Sequence, residues 1–91
     1  LSKNKHFVKP PSPNPVSSDV AVVEFGIGVT APTTIELVNT AGQVVATLIR
    51  QSLEDGEYSL SIPVQSLSNG VYSLRIQSSD YAEAVPFVIA R

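Results

Sequence analysis

His6 is the single histidine of this 91-residue chain, and Glu54, Asp55 and Glu57 form its densest group of carboxylates. An imidazole becomes a general base when a nucleophile and an orienting carboxylate hold it in a rigid pocket. His6 instead lies among Lys3, Lys5, Lys9 and the prolines of the N-terminal segment, with no such setting. The three carboxylates could approach a Ca²⁺ ion, but calcium takes about six to eight oxygens and no D-x-D-x-D run supplies them; a solvated acidic turn is the expectation. Gly26-Ile27-Gly28-Val29-Thr30-Ala31 imitates the G-x-G-x-x-A dinucleotide pattern. That pattern works by presenting pyrophosphate to a helix N-terminus. Pro32 and the β-branched Thr33-Thr34-Ile35 follow here, so no helix is expected to start. No catalytic residue, metal ligand or cofactor is assigned, and the chain reads as a non-enzyme.

The elements around these residues are short and strand-like. Ala21, Val23, Phe25 and Ile27 alternate with Val22, Glu24 and Gly26, which places one apolar set on one face. Ala31-Pro32 interrupts, and Thr33 to Asn39 forms a second run. Thr40-Ala41-Gly42-Gln43 reverses the chain into Val44 to Arg50, which predicts an antiparallel hairpin. Glu54-Asp55-Gly56 is the next turn, before the alternating Tyr58, Leu60 and Ile62. Pro63 ends that run because proline donates no ladder hydrogen bond. Tyr72, Leu74 and Ile76 alternate after Asn69-Gly70. Ala82 to Ala90 forms the last strand with Val85, Phe87 and Ile89 inward, and Pro86 predicts an edge position or a bulge there. The pattern predicts an all-β, immunoglobulin-like antiparallel β-sandwich of about six to seven strands.

Composition narrows the function. Charged residues make up only 15% of the chain and the net charge is −2, whereas nucleic-acid binding needs clustered Lys and Arg. With no cysteine, the fold must be held by packing without disulfides. With no methionine and Leu1 first, a fragment of a larger protein is expected. Residues 1–12 read as a proline-rich tether, since dense prolines favour an extended, solvated backbone, and residues 13–91 as the folded domain.

Two motifs bracket that domain. Pro13-Asn14-Pro15 opens it with a stiff turn. Leu67-Ser68-Asn69-Gly70-Val71-Tyr72 supplies an apolar plug, a glycine free to take positive φ and an aromatic at a strand start. Tyr72 is expected to bury its ring and tie its hydroxyl to nearby backbone, as in a tyrosine corner.

In this order, and with Gly42 and Gly56 between them, the motifs resemble the C-terminal sorting domain of cargo proteins exported by the type IX secretion system of Bacteroidetes. The resemblance covers Pro13 to Arg91. It implies a delivery label that folds in the periplasm, directs a fused N-terminal cargo through the outer-membrane translocon and leaves it at the cell surface or secreted. It further implies that a sortase-like peptidase removes the label by cutting in or before residues 1–12, and that a surface anchor replaces it. The recognition residues would be Leu67, Gly70, Val71, Tyr72, Val85, Phe87, Val88, Ile89 and Arg91, with Pro13, Asn14, Pro15, Gly42 and Gly56 as structural motif positions. Family members often carry lysines in the final strand; here Tyr81 to Pro86 has no basic residue. A partner that reads main-chain edge by β-augmentation would tolerate that difference. An open final strand could also pair two copies of the chain as a homodimer. The alternative is an immunoglobulin-like spacer or adhesion module of a surface protein, because fold alone does not dictate function.

Overall fold

The period-two alternation resolves into two antiparallel sheets. The computed structural model describes residues 5–91. Its strands are β1 (Phe7–Val8), β2 (Val20–Ile27), β3 (Ala31–Asn39), β4 (Val44–Leu53), β5 (Gly56–Pro63), β6 (Gly70–Ser78) and β7 (Tyr81–Ile89). One sheet has the order β1-β2-β5 and the other β4-β3-β6-β7. Inward residues of both sheets form one core: Ala21, Val23, Phe25 and Ile27 from β2, Ile35 and Leu37 from β3, Leu74 and Ile76 from β6, and Phe87 and Ile89 from β7. This is the expected immunoglobulin-like sandwich, with seven strands. Burying one such Ile, Leu or Phe is worth about 1.5–3 kcal/mol, and with no disulfide that burial carries the fold.

Differences from the sequence reading lie at strand ends. β3 starts at Ala31 and includes Pro32, which is tolerated because the β6 ladder begins only at Thr33, opposite Ser78. There the two buried hydroxyls bond each other at 2.9 Å, so neither is left unpaired in the core. β4 runs on to Leu53. Register shifts between Ile35 and Glu36 and between Leu37 and Val38 interrupt its pairing with β3, a device that discourages an edge strand from recruiting another chain. Pro86 lies in β7 at the edge of its sheet.

The segment read as a tether is bound to the sandwich from Phe7 onward. Phe7 and Val8 pair with Gly26 and Phe25 as β1. Lys9 donates its amide to Glu24, and Ser12 exchanges both backbone hydrogen bonds with Val22. Pro11 is buried. An extended, proline-rich backbone is geometrically close to a strand, so β2 can satisfy the groups that water would otherwise hold. A two-residue strand leaves no periodicity to detect.

Gly26 explains how β1 fits. A Cβ there would lie 2.3 Å from a Phe7 ring carbon and 2.7 Å from the Lys5 carbonyl oxygen. The glycine of the apparent dinucleotide pattern is thus the floor on which the Phe7 ring rests, an aromatic covering the gap left by a missing side chain. Gly26→Ala should lift β1 from β2 at a cost of about 1–3 kcal/mol. Amide exchange of Lys9 should accelerate while the β2–β5 amides keep their protection; an unchanged Lys9 rate would contradict this packing.

Candidate functional site

The Leu67–Tyr72 motif forms the corner between β5 and β6. Gly70 has φ 153°, a backbone region that L side chains rarely adopt, and this lets the corner swing directly into β6. Two residues later the Tyr72 ring is buried, and its hydroxyl donates to the Ser68 carbonyl at 2.7 Å. The ring also stacks on Phe87, its cross-strand partner in β7, at 6.0 Å between centroids. This is the tyrosine corner expected from sequence, with the hydroxyl fastening the loop and the ring fastening the last strand.

The same device occurs a second time. Leu53-Glu54-Asp55-Gly56-Glu57-Tyr58 repeats the Leu-x-x-Gly-x-Tyr spacing. Gly56 has φ 150°. The Tyr58 hydroxyl reaches back four residues to the Glu54 carbonyl at 2.5 Å, and its ring stacks on its cross-strand partner Phe25 at 5.2 Å. Sequence reading treated 54–57 as an acidic turn and missed the repetition, although the identical spacing was visible. Among the described residues, no group of three or more His, Cys, Asp or Glu could hold a metal ion. Asp55 instead ties this corner to the β2–β3 loop: its amide donates to the Thr30 hydroxyl, which in turn donates to the Asp55 carboxylate.

β7 is the outer strand of its sheet, but its outer margin is not uniform. Val88 directs both its amide and its carbonyl away from β6: the amide donates to Asn14 Oδ1 at 3.0 Å and the carbonyl accepts from Val16 at 2.7 Å. The Ala90 amide donates to the Val16 carbonyl at 2.8 Å. Alternation along a strand then puts Ala82, Ala84 and Pro86 in the same outward set. Pro86 therefore sacrifices no ladder bond. Val16, fully buried, forms a parallel bridge with Ile89, so the chain just after Pro13-Asn14-Pro15 covers the end of β7, and among the described residues no strand pairs with the outer margin from Tyr81 to Pro86. His6 stacks on Tyr81 at 5.0 Å. Burial, and then the charge of Glu83, push the Tyr81 phenol above its ordinary range.

The nominated recognition residues separate into distinct environments. Tyr72, Phe87 and Ile89 are core, so no partner can touch their side chains in the folded domain. Leu67, Gly70, Val85 and Val88 are half-buried. Val71 is exposed. Arg91 is exposed, yet its guanidinium donates to the carbonyls of Val64, at 2.6 Å, and Leu67. Of the motif positions, Pro13, Asn14, Pro15 and Gly42 are exposed and Gly56 is half-buried.

With this geometry in place, a family comparison decides the identity of the domain. The family described as the secretion system C-terminal sorting domain matches residues 12–90. The chain belongs to this family. No curated protein matches the chain. The domain is a type IX sorting signal, which implies a fused N-terminal cargo, engagement with the type IX machinery, and export to the cell surface or beyond. The match begins at residue 12, so β1 lies outside it.

The two corners should differ in worth. Tyr72→Phe leaves a carbonyl unpaired beside the core and should cost about 1–3 kcal/mol, whereas Tyr58→Phe, at a more exposed corner, should cost about 0.5–1.5 kcal/mol. Urea unfolding of the two variants measures the difference, and an equal or reversed order would show that burial does not set it.

Proposed function

We propose that the type IX translocon reads this sorting domain in its folded state, through the open stretch of the β7 margin between Tyr81 and Pro86. The observation that supports this reading is the outward set of Ala82 and Ala84. Their backbone groups face no neighbouring strand among the described residues, while the margin beyond Pro86 is already occupied by Asn14 and Val16. A partner adding a strand there would gain affinity from main-chain hydrogen bonds and need no particular side chain. This accords with the absence of basic residues from Tyr81 to Pro86. The domain crosses the periplasm as a folded unit attached to its cargo. A sortase-like peptidase then separates the two and a surface anchor takes its place; the cut falls outside the hydrogen-bonded stretch from Phe7 to Ser12, whose pairing with β2 shields its backbone.

The test is a fusion of the domain behind a periplasmic reporter in a type IX-competent host. The reporter should appear at the surface or in the medium, and its retention in the periplasm would count against the reading. Ala84→Pro removes an outward donor, as Pro86 already does, so thermal stability should hold while export falls several-fold. Val85→Pro instead removes an inward ladder donor, leaving a β6 carbonyl unpaired at about 1–3 kcal/mol, and should lower the melting temperature as well. Undiminished export of Ala84→Pro would mean that this margin is not what the translocon grips.

A further inference from the structure

The last residues of the described chain are held from two sides by asparagines that are distant in sequence. On the outer side, Asn14 Oδ1 accepts the Val88 amide at 3.0 Å, next to the Val16–Val88 and Ala90–Val16 backbone bonds. Those backbone bonds are rungs of a short parallel ladder, and the Asn14 side chain supplies the acceptor for a further rung. On the inner side the β6–β7 ladder ends at the pair Gly70–Ile89. The Asn69 side chain then continues past the end of that ladder. Its Oδ1 accepts the Arg91 amide and its Nδ2 donates to the Arg91 carbonyl, both at 3.0 Å. A primary amide has the donor and acceptor of a peptide group, so Asn69 stands in for a missing strand residue, while Asn14 supplies the acceptor half of one. The Arg91 guanidinium bonds back to Val64 and Leu67, closing the loop that carries Asn69.

We infer that Asn14 and Asn69 are positioning residues whose task is to dock residues 88–91, so that the Pro-Asn-Pro and Leu-x-x-Gly-x-Tyr segments act on sorting by fixing the end of β7 and not by meeting the translocon. The inference rests on the sorting reading above and extends it. With its end docked, β7 keeps one register, and the open margin from Tyr81 to Pro86 is presented as a straight, rigid edge. Released, residues 88–91 would lose these outward and terminal hydrogen bonds and the strand would fray from that end.

The two positions make different chemical demands. Among the described residues Asn14 serves as an acceptor, so a carboxylate can replace it, whereas Asn69 is used as donor and acceptor together. In the 91-residue chain, Asn14→Ala should raise the Val88 amide exchange rate about tenfold and Asn69→Ala that of Arg91 by a similar factor, with amides of β2 and β5 unchanged. Asn14→Asp should restore Val88 protection. In the reporter fusion, Asn14→Ala and Asn69→Ala should each lower export several-fold and Asn14→Asp should recover it. Asn39→Ala, which removes the acceptor for the Ala41 and Gln43 amides in the β3–β4 turn, two strands away from β7, should export as the unaltered domain does. Unchanged Val88 exchange in Asn14→Ala, or failure of Asn14→Asp to rescue, overturns the docking role. Unaltered or increased export with a released end, or an equal loss in Asn39→Ala, overturns its link to sorting. If the unaltered domain itself fails to export, the sorting reading falls, and the exchange rates still decide the docking.

Discussion

The two sheets of this domain share no strand, so only side-chain packing and the segments that cross between them hold the faces together. The chain has no disulfide to assist, and each face alone would leave its apolar residues in water. The crossing segments therefore carry unusual weight. The segment from Lys9 to Val16 hydrogen-bonds β2 at one end and β7 at the other, with Pro11 and Val16 buried along the way. The corners at 53–58 and 67–72 bracket β5, the strand the chain enters and leaves by crossing between sheets. Each corner uses one tyrosine twice, its hydroxyl on the loop it has just left and its ring on the phenylalanine beside it.

That economy suits a sorting signal. A label that must be recognised whatever precedes it has to organise its own recognition surface. Here the terminal strand is placed by three independent contacts: the β6 ladder, the Asn14–Val16 segment and the Asn69–Arg91 pair. Two of the three come from the Pro-Asn-Pro and Leu-x-x-Gly-x-Tyr segments. The residues of those segments are thus intelligible as fastenings of the domain's own chain.

Much of this was legible from sequence where period-two alternation ran for several residues. The faces of β2, β5, β6 and β7 follow directly from Ala21-x-Val23-x-Phe25, Tyr58-x-Leu60-x-Ile62, Tyr72-x-Leu74-x-Ile76 and Val85-x-Phe87-x-Ile89. The Tyr72 corner followed from glycine chemistry and the position of the ring. β1 was not legible, because two residues have no period and because the clue lay in Gly26, whose reason is a ring nineteen positions earlier in the chain. The outward margin of β7 was half legible. Pro86 announced an edge, but Asn14 at a distance of 74 residues gave no local sign that it would cover part of that edge.

The placement of Pro86 also bears on behaviour in a crowd. Many copies of a label that exposes a long, regular strand margin could stack on one another and fibrillate before reaching their exporter. Here only Ala82 and Ala84 offer amide donors before the proline breaks the series, and the margin beyond is already filled. Along this margin, a second copy of the chain therefore meets only a short run of donors. The proline acts as a gatekeeper on this margin, limiting how far another strand could pair along it.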